Sequence, residues 1–121
     1  MRASLLINCS KAEAVELRRQ ANLQRRTVSG YVMSIVVRSI EFDDALFAKL
    51  NGVRTFRPEW NYRGPGRRTT VHLYCSAQEA KRVRNAAKRR ETTISGFVLH
   101  SLRRSWEAAL KFSEFKAASH G

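Results

Sequence analysis

Two short stretches, SLLIN and TTVHLY, have apolar residues at every second position, and each precedes a longer pattern with helical spacing. Val71 and Leu73 are each flanked by polar residues, which is the period of a strand with one buried face. Leu5 and Ile7 take the same inward positions in the first stretch, although Leu6 then falls on the outward face. The pattern predicts two short, half-buried strands.

Each predicted strand is followed by a helix with its own start signal. Ser10 with Glu13, and Ser76 with Glu79, have the three-residue spacing of a capping box. Apolar residues then recur on one face of each helix, at Ala14, Leu17 and Ala21 and again at Ala80, Val83 and Ala87. We predict that these helices end near residues 24–26 and 90–92.

A second helix is predicted after each of the hexamers TVSGYV and TISGFV. Thr27 and Thr93 have the side chain of a helix N-cap and stand directly before an apolar residue. The residues from Tyr31 to about 47, and from Phe97 to about 112, are mainly apolar or helix-favouring and contain no proline. Each half therefore reads as strand, helix, turn, helix.

The two halves are copies of one unit. Residues 2–41 align with residues 68–107 without a gap, and 14 of the 40 positions are identical. A single unit would leave its strand unpaired and its helices uncovered on one face. We therefore expect a mainly α chain in which two strands form an antiparallel β-ribbon and four helices share one core. The predicted parts are unit one (1–47), a linker (48–67), unit two (68–112) and a tail (113–121).

The charge indicates a polyanionic partner. The chain has 23 Lys and Arg against 10 Asp and Glu, a net charge of +13, and unit two is the more basic of the two. Nucleic acid is the commonest partner of so basic a protein, and an anionic membrane surface is the main alternative. The aromatic residues Phe56, Trp60 and Tyr62 in the basic linker suit either contact with DNA or packing over the core.

Several other classes of protein are not expected. The sequence has no Cys/His/Asp constellation, phosphate loop or paired carboxylates, so we expect neither an enzyme nor a cofactor. The three histidines lack metal-site spacing, and no apolar run is long enough for a membrane span. Cys9 and Cys75 share the parity of the core residues and suit a reducing cytoplasm.

With its polar-capped second helix opening in TISGFV or TVSGYV, each half resembles the ribbon–helix–helix family of Arc, MetJ and CopG type. The stretch CSAQEAKRVRNAAKRRETTISGFVLHSL is the closer match. Two units in one chain resemble the TraY-like arrangement, whereas most of the family forms homodimers. The resemblance implies a tandem pseudo-dimer that binds double-stranded DNA, with further copies side by side on a longer duplex. It also implies a cytoplasmic location on chromosomal, plasmid or phage DNA.

The resemblance also implies which residues contact bases. In the family the outward side chains of the ribbon lie in the major groove. Here these positions are Arg2, Ser4, Asn8, Arg68, Thr70, His72 and Tyr74. A solvated outer face without a ligand is the alternative, and the outward Leu6 offers no more than an apolar contact to a thymine methyl group.

Phosphate contacts are implied around the start of each second helix, where the helix dipole and unpaired N–H groups favour an anion. The positions are Arg25, Arg26, Thr27, Ser29, Gly30, Arg89, Arg90, Thr93, Ser95 and Gly96. Glycine stands where the family more often has glutamate, which removes a negative charge but also suits close helix packing. The basic residues also fit a solvated face, and the roles of Arg38 and Arg104 stay open.

Sequence-specific binding to duplex DNA, first of all as a transcriptional repressor, is therefore the expected function. An accessory protein of a relaxosome or of plasmid maintenance is the alternative, followed by an antitoxin or an RNA-binding module. The tail is the one segment left for a toxin, and its shortness argues against the antitoxin role.

Overall fold

The computed structural model describes residues 2–49 and 68–120, and for residues 43, 44, 46–49 and 110–120 it describes the backbone only. In chain order the elements are strand β1 (Arg2–Ser10), helix α1 (Lys11–Leu23), helix α2 (Val28–Lys49), strand β2 (Arg68–Ser76), helix α3 (Ala77–Arg89) and helix α4 (Ile94–His120). The prediction of a mainly helical chain with a two-stranded antiparallel sheet is confirmed.

The two strands pair along their whole length. The register runs from Arg2 opposite Ser76 to Ser10 opposite Arg68. The inward positions predicted from the alternation are buried, and the positions between them are exposed. Both strands are longer than predicted because the pairing extends to residues whose own pattern is ambiguous, such as Cys9 and Ser10.

All four helices start on a side-chain cap, as predicted. The Ser10 hydroxyl accepts from the Glu13 amide at 3.1 Å, and the Ser76 hydroxyl accepts from the Glu79 amide at 3.0 Å. Each glutamate in turn accepts from the backbone N–H of its serine at 3.0 Å, which completes both capping boxes. The hydroxyls of Thr27 and Thr93 cap the second helices.

The first helix of each unit ends in the same left-handed turn. Arg25 has φ 54° and Glu91 has φ 55°, a region that favours glycine. In each turn two successive amides bond back to the last helical carbonyls, which is the pattern of a Schellman motif. The repeated motif turns the chain sharply enough for the second helix to cover the first.

The second helices differ most from the prediction. Helix α2 begins at Val28 and runs to Lys49, and α4 continues to His120, well past its predicted end near residue 112. Most of the predicted tail is therefore helical. The predicted linker overlaps α2 at residues 48–49, and its remainder, with Phe56, Trp60 and Tyr62, lies outside the described residues.

One cluster of buried apolar side chains joins the sheet to all four helices. Its largest fully buried members are Ile7 and Cys9 from β1, Leu17 from α1, Tyr31, Val32, Val36 and Ile40 from α2, Leu73 from β2, Val83 from α3, and Phe97, Val98 and Leu102 from α4. Every described element contributes to it. The buried face of the ribbon forms its floor, which leaves the opposite face of the ribbon outside the core.

The two cysteines are buried free thiols, as their parity predicted. Cys9 pairs across the ribbon with Thr69 and Cys75 with Ala3, so the two thiols lie toward opposite ends. Burial raises the pKa of both thiols. Their protonated form makes them poor nucleophiles, and they act as small apolar side chains.

The described part of the chain contains neither a candidate membrane-spanning helix nor a candidate metal site. None of its helices combines the length and the apolar character required to cross a membrane. Within the same residues, no group of three or more His, Cys, Asp and Glu side chains is arranged to hold a metal ion.

Candidate nucleic-acid interface

The face of the ribbon away from the core is a row of exposed, mainly polar side chains. It consists of Arg2, Ser4, Leu6 and Asn8 from β1 and Arg68, Thr70, His72 and Tyr74 from β2. Two of the larger members show how open this face is: Leu6 is 54% exposed and Tyr74 is 64% exposed. All seven predicted base-contact residues are thus brought together on one surface, which we call the outer ribbon face.

The register of the ribbon follows the duplication. Leu6 pairs with His72, which is its own equivalent after the 66-residue shift between the copies. On one side of this pair Ser4 lies opposite Tyr74, and on the other Thr70 lies opposite Asn8, so the two flanking pairs are also equivalent. The centre of the outer ribbon face is therefore the Leu6–His72 pair.

One half of this face is held by hydrogen bonds. The Thr70 hydroxyl donates to Asn8 Oδ1 at 3.1 Å, and a guanidinium nitrogen of Arg68 donates to the Asn8 backbone carbonyl at 3.1 Å. The bond from Thr70 orients the side-chain amide of Asn8, with Nδ2 still able to donate and with one lone pair left on Oδ1. A side chain in this state matches the N6 and N7 edge of adenine.

The other half has a different chemistry. The rings of His72 and Tyr74 lie 6.4 Å apart at an interplanar angle of 19°, side by side along β2. Ser4 lies across the ribbon from Tyr74, where the equivalent position of the first half holds Thr70. Both halves end in an arginine, Arg68 or Arg2, but one half adds an amide and the other adds an aromatic ring with a short hydroxyl.

The serines of the repeated hexamers tie each second helix to the strand of the other unit. Ser29 Oγ accepts from the Tyr74 backbone N–H at 2.9 Å, and Ser95 Oγ accepts from the Asn8 backbone N–H at 2.9 Å. Each bond satisfies an amide on an outer edge of the ribbon, where an amide has no neighbouring strand. Sequence reasoning missed this role, although the identity of both serines in both copies was a signal for it.

Removing either serine hydroxyl should loosen the ribbon. We expect Ser29→Ala and Ser95→Ala each to lower the free energy of unfolding by about 1 kcal/mol, because one hydrogen bond is lost at a partly solvated edge. Urea unfolding followed by circular dichroism measures this. Ser4→Ala, at an exposed serine of the same ribbon, is the control, and a loss in the control as large as in the two variants would contradict the assignment.

At each helix start that was predicted to contact phosphate, one backbone amide is already hydrogen-bonded to the threonine cap. The Gly30 amide donates to Thr27 Oγ1 at 3.1 Å, and the Gly96 amide donates to Thr93 Oγ1 at 3.0 Å. A Cβ atom at Gly30 would lie 3.0 Å from Thr27 Oγ1, which gives this glycine a reason unrelated to phosphate. Any phosphate contact therefore falls to the amides at the very start of each helix rather than to the glycine amides.

The four predicted basic contacts differ in their exposure. Arg25, Arg26 and Arg89 are exposed, and Arg90 is half-buried. Arg26 donates to Ser34 Oγ at 3.2 Å, which holds it against α2. Arg90 donates to the Ala86 carbonyl at 2.9 Å and lies over the Phe97 ring at 4.9 Å, so it has a structural role that the sequence did not indicate.

The repeated Arg38 and Arg104 lie away from the ribbon. Both line a cavity of about 250 Å³ between α2 and α4, and Arg104 lies over the Phe42 ring at 5.4 Å. Packing along the second helices accounts for Arg104. Neither Arg38 nor Arg104 lies on the outer ribbon face.

The outer ribbon face offers hydrogen-bond donors and acceptors on a narrow, two-stranded surface, the kind of element that the major groove admits. No family model, curated protein or solved structure matches this chain. The chemistry of this face and its symmetry therefore carry the functional interpretation.

Proposed function

We propose that the chain is a tandem ribbon–helix–helix protein that binds a specific sequence of double-stranded DNA and acts as a transcriptional repressor. In this proposal the two units form a pseudo-dimer, and the outer ribbon face lies in the major groove. The net charge of +13 supplies the attraction to the phosphate backbone. Ser29 and Ser95 position the starts of the second helices beside the ribbon, near the flanking phosphates.

The register is the observation that carries the proposal. A pseudo-twofold axis through the Leu6–His72 pair relates each position of β1 to its repeat equivalent on β2. The cross-unit bonds Ser29 to Tyr74 and Ser95 to Asn8 obey the same axis. Since duplex DNA has its own local twofold axes, a ribbon with this symmetry can place both halves on equivalent groove edges.

The recognised sequence should nevertheless be asymmetric. The symmetry holds for the backbone, whereas the outward side chains differ at the centre and at the flanking aromatic and amide positions. The half with Asn8, Thr70 and Arg68 suits an adenine and a guanine, the bases matched by an amide and by a guanidinium. At the centre, Leu6 suits a thymine methyl group, and His72 can hydrogen-bond a purine.

Repression follows from occupancy, since a bound protein of this kind blocks access to its site. A relaxosome or plasmid-maintenance factor would use the same interface at a transfer or partition site. Genomic footprinting with the full chain separates these roles, because it shows whether the site lies at a promoter or at an origin.

Substitutions on the ribbon test base recognition. We expect Arg68→Ala and His72→Ala each to weaken binding to the selected site by about 1–3 kcal/mol and to relax sequence preference at one position. Leu6→Ala, at the position of unit one that is equivalent to His72, should cost much less. Fluorescence anisotropy titrations measure the affinities, and thermal melts check that each variant is folded. Equal losses from both strands on a palindromic site would contradict the asymmetric model.

A further inference from the structure

The two capping-box glutamates have different surroundings. Both accept from a serine amide through Oε1. Oε2 of Glu13 is also bonded to the guanidinium of Arg103. The position equivalent to Arg103 in the other unit is Val37, which has no donor to offer to Glu79.

The pair of Glu13 and Arg103 is a strong local interaction. Burial disfavours the Glu13 carboxylate, but the bonds from the Ser10 amide and from Arg103 outweigh burial, and the pKa of this carboxyl is lowered. The Glu13 side chain is only 13% exposed. A guanidinium at this position of the fold is thus well accommodated beside the glutamate.

At the equivalent position in the other unit the structure has a cavity. Its volume is about 360 Å³, and its lining includes Glu79, Tyr74, Val37, Met33, Ser29 and Ser34. Two of these residues are smaller than their equivalents, since Val37 replaces Arg103 and Ser34 replaces His100. The cavity therefore lies where the other unit holds the arginine side chain.

We propose that this cavity binds the guanidinium group of an arginine from a second copy of the chain, bound beside the first on DNA. Glu79 would accept a charge-assisted hydrogen bond, as Glu13 does from Arg103. Tyr74 contributes an aromatic side chain to the lining, and Val37 and Met33 offer apolar contact to the arginine stem.

The chemistry of the chain argues for a second copy as the partner. The protein is rich in arginine, and its charge of +13 opposes self-association in free solution. Phosphates remove that repulsion when two copies share one duplex. The cavity adjoins Tyr74 and the start of α2, so it lies at one edge of the proposed DNA-binding surface, and this inference rests on the proposed function.

Two variants should prevent the cavity from binding an incoming arginine, each for a different reason. Val37→Arg supplies the guanidinium from within the chain. Glu79→Gln removes the charge, while the glutamine carbonyl can still accept from the Ser76 amide in the capping box. Val15→Arg, at a valine that is 62% exposed on α1, is the matched control because it adds the same charge away from the cavity.

The experiment compares a duplex with one selected site and a duplex with two adjacent sites, using the full chain. We expect the second copy of the natural protein to bind about tenfold more tightly than the first, a typical coupling between sites. Val37→Arg and Glu79→Gln should both abolish most of this gain. The single-site affinity of Val37→Arg should stay within about twofold of that of the Val15→Arg control, and the single-site affinity of Glu79→Gln within about twofold of that of the natural protein. Thermal melts confirm that both are folded.

The opposite results are distinguishable. Cooperativity that is unchanged in both variants, or absent in a natural protein that binds the single site, would overturn the arginine contact and leave the proposed function standing. A natural protein that fails to bind any single site would overturn the proposed function, and this inference with it.

Discussion

Raising the salt concentration from about 50 mM to about 200 mM should weaken binding to duplex DNA by about a thousandfold. The expectation follows from the release of counterions when about six phosphates are neutralised, which gives a slope of about −5 for log K against log salt concentration. The excess of 23 Lys and Arg over 10 Asp and Glu supplies the necessary charge. Anisotropy titrations at several salt concentrations measure the slope.

Single substitutions show how much an individual residue contributes to the slope of log K against log salt concentration. Arg25→Gln, at an exposed arginine in the turn before α2, should reduce its magnitude by about 1. Arg19→Gln is the matched control, because the Arg19 guanidinium is already paired with Glu16 at 2.7 Å. A nearly flat salt dependence of the natural protein would point instead to a membrane surface or to a protein partner.

Neither unit should fold alone as a monomer. A fragment of residues 1–47 would expose the buried face of β1, including Leu5 and Ile7, and would lose β2, to which β1 is paired. Because large core side chains such as Tyr31 and Phe97 come from different units, each fragment also loses a part of the core. We expect each fragment to be unfolded or homodimeric, whereas the full chain should be a folded monomer.

Circular dichroism and sedimentation equilibrium on the full chain and on both fragments measure this. Cleavage within residues 48–67 is the control, since it cuts the chain but keeps both halves in solution and should leave them associated. A fragment that is stable, folded and monomeric would contradict the shared core.

Features encoded within a few residues could be predicted from the sequence. The capping boxes at Ser10 and Ser76 depend on side chains three positions apart, and the buried face of each strand depends on a period of two. The outward position predicted for Leu6 is confirmed even though burial would suit this side chain better, because a strand cannot turn one residue without turning its neighbours.

Contacts between distant residues could not be predicted in the same way. Three such contacts are the hydrogen bond from the Tyr74 amide of β2 to Ser29, the pairing of Arg103 with Glu13 and the stacking of Arg90 on the Phe97 ring. They depend on how the helices pack, which no local pattern encodes. The extension of α4 to His120 was missed because residues beyond 112 have weak apolar periodicity. The duplication narrows this gap, since identical serines in both copies indicate a shared contact.

Selection of binding sites from a randomised DNA duplex tests the central claim most directly. The natural protein should enrich one asymmetric sequence. A variant with Arg68→Ala, Thr70→Ala and His72→Ala should remain folded and retain weaker, salt-dependent binding, but it should no longer enrich the same sequence, because the phosphate contacts survive while three of the base contacts are lost. Enrichment of the same sequence by this variant, or of no sequence by the natural protein, would contradict recognition of DNA by the outer ribbon face.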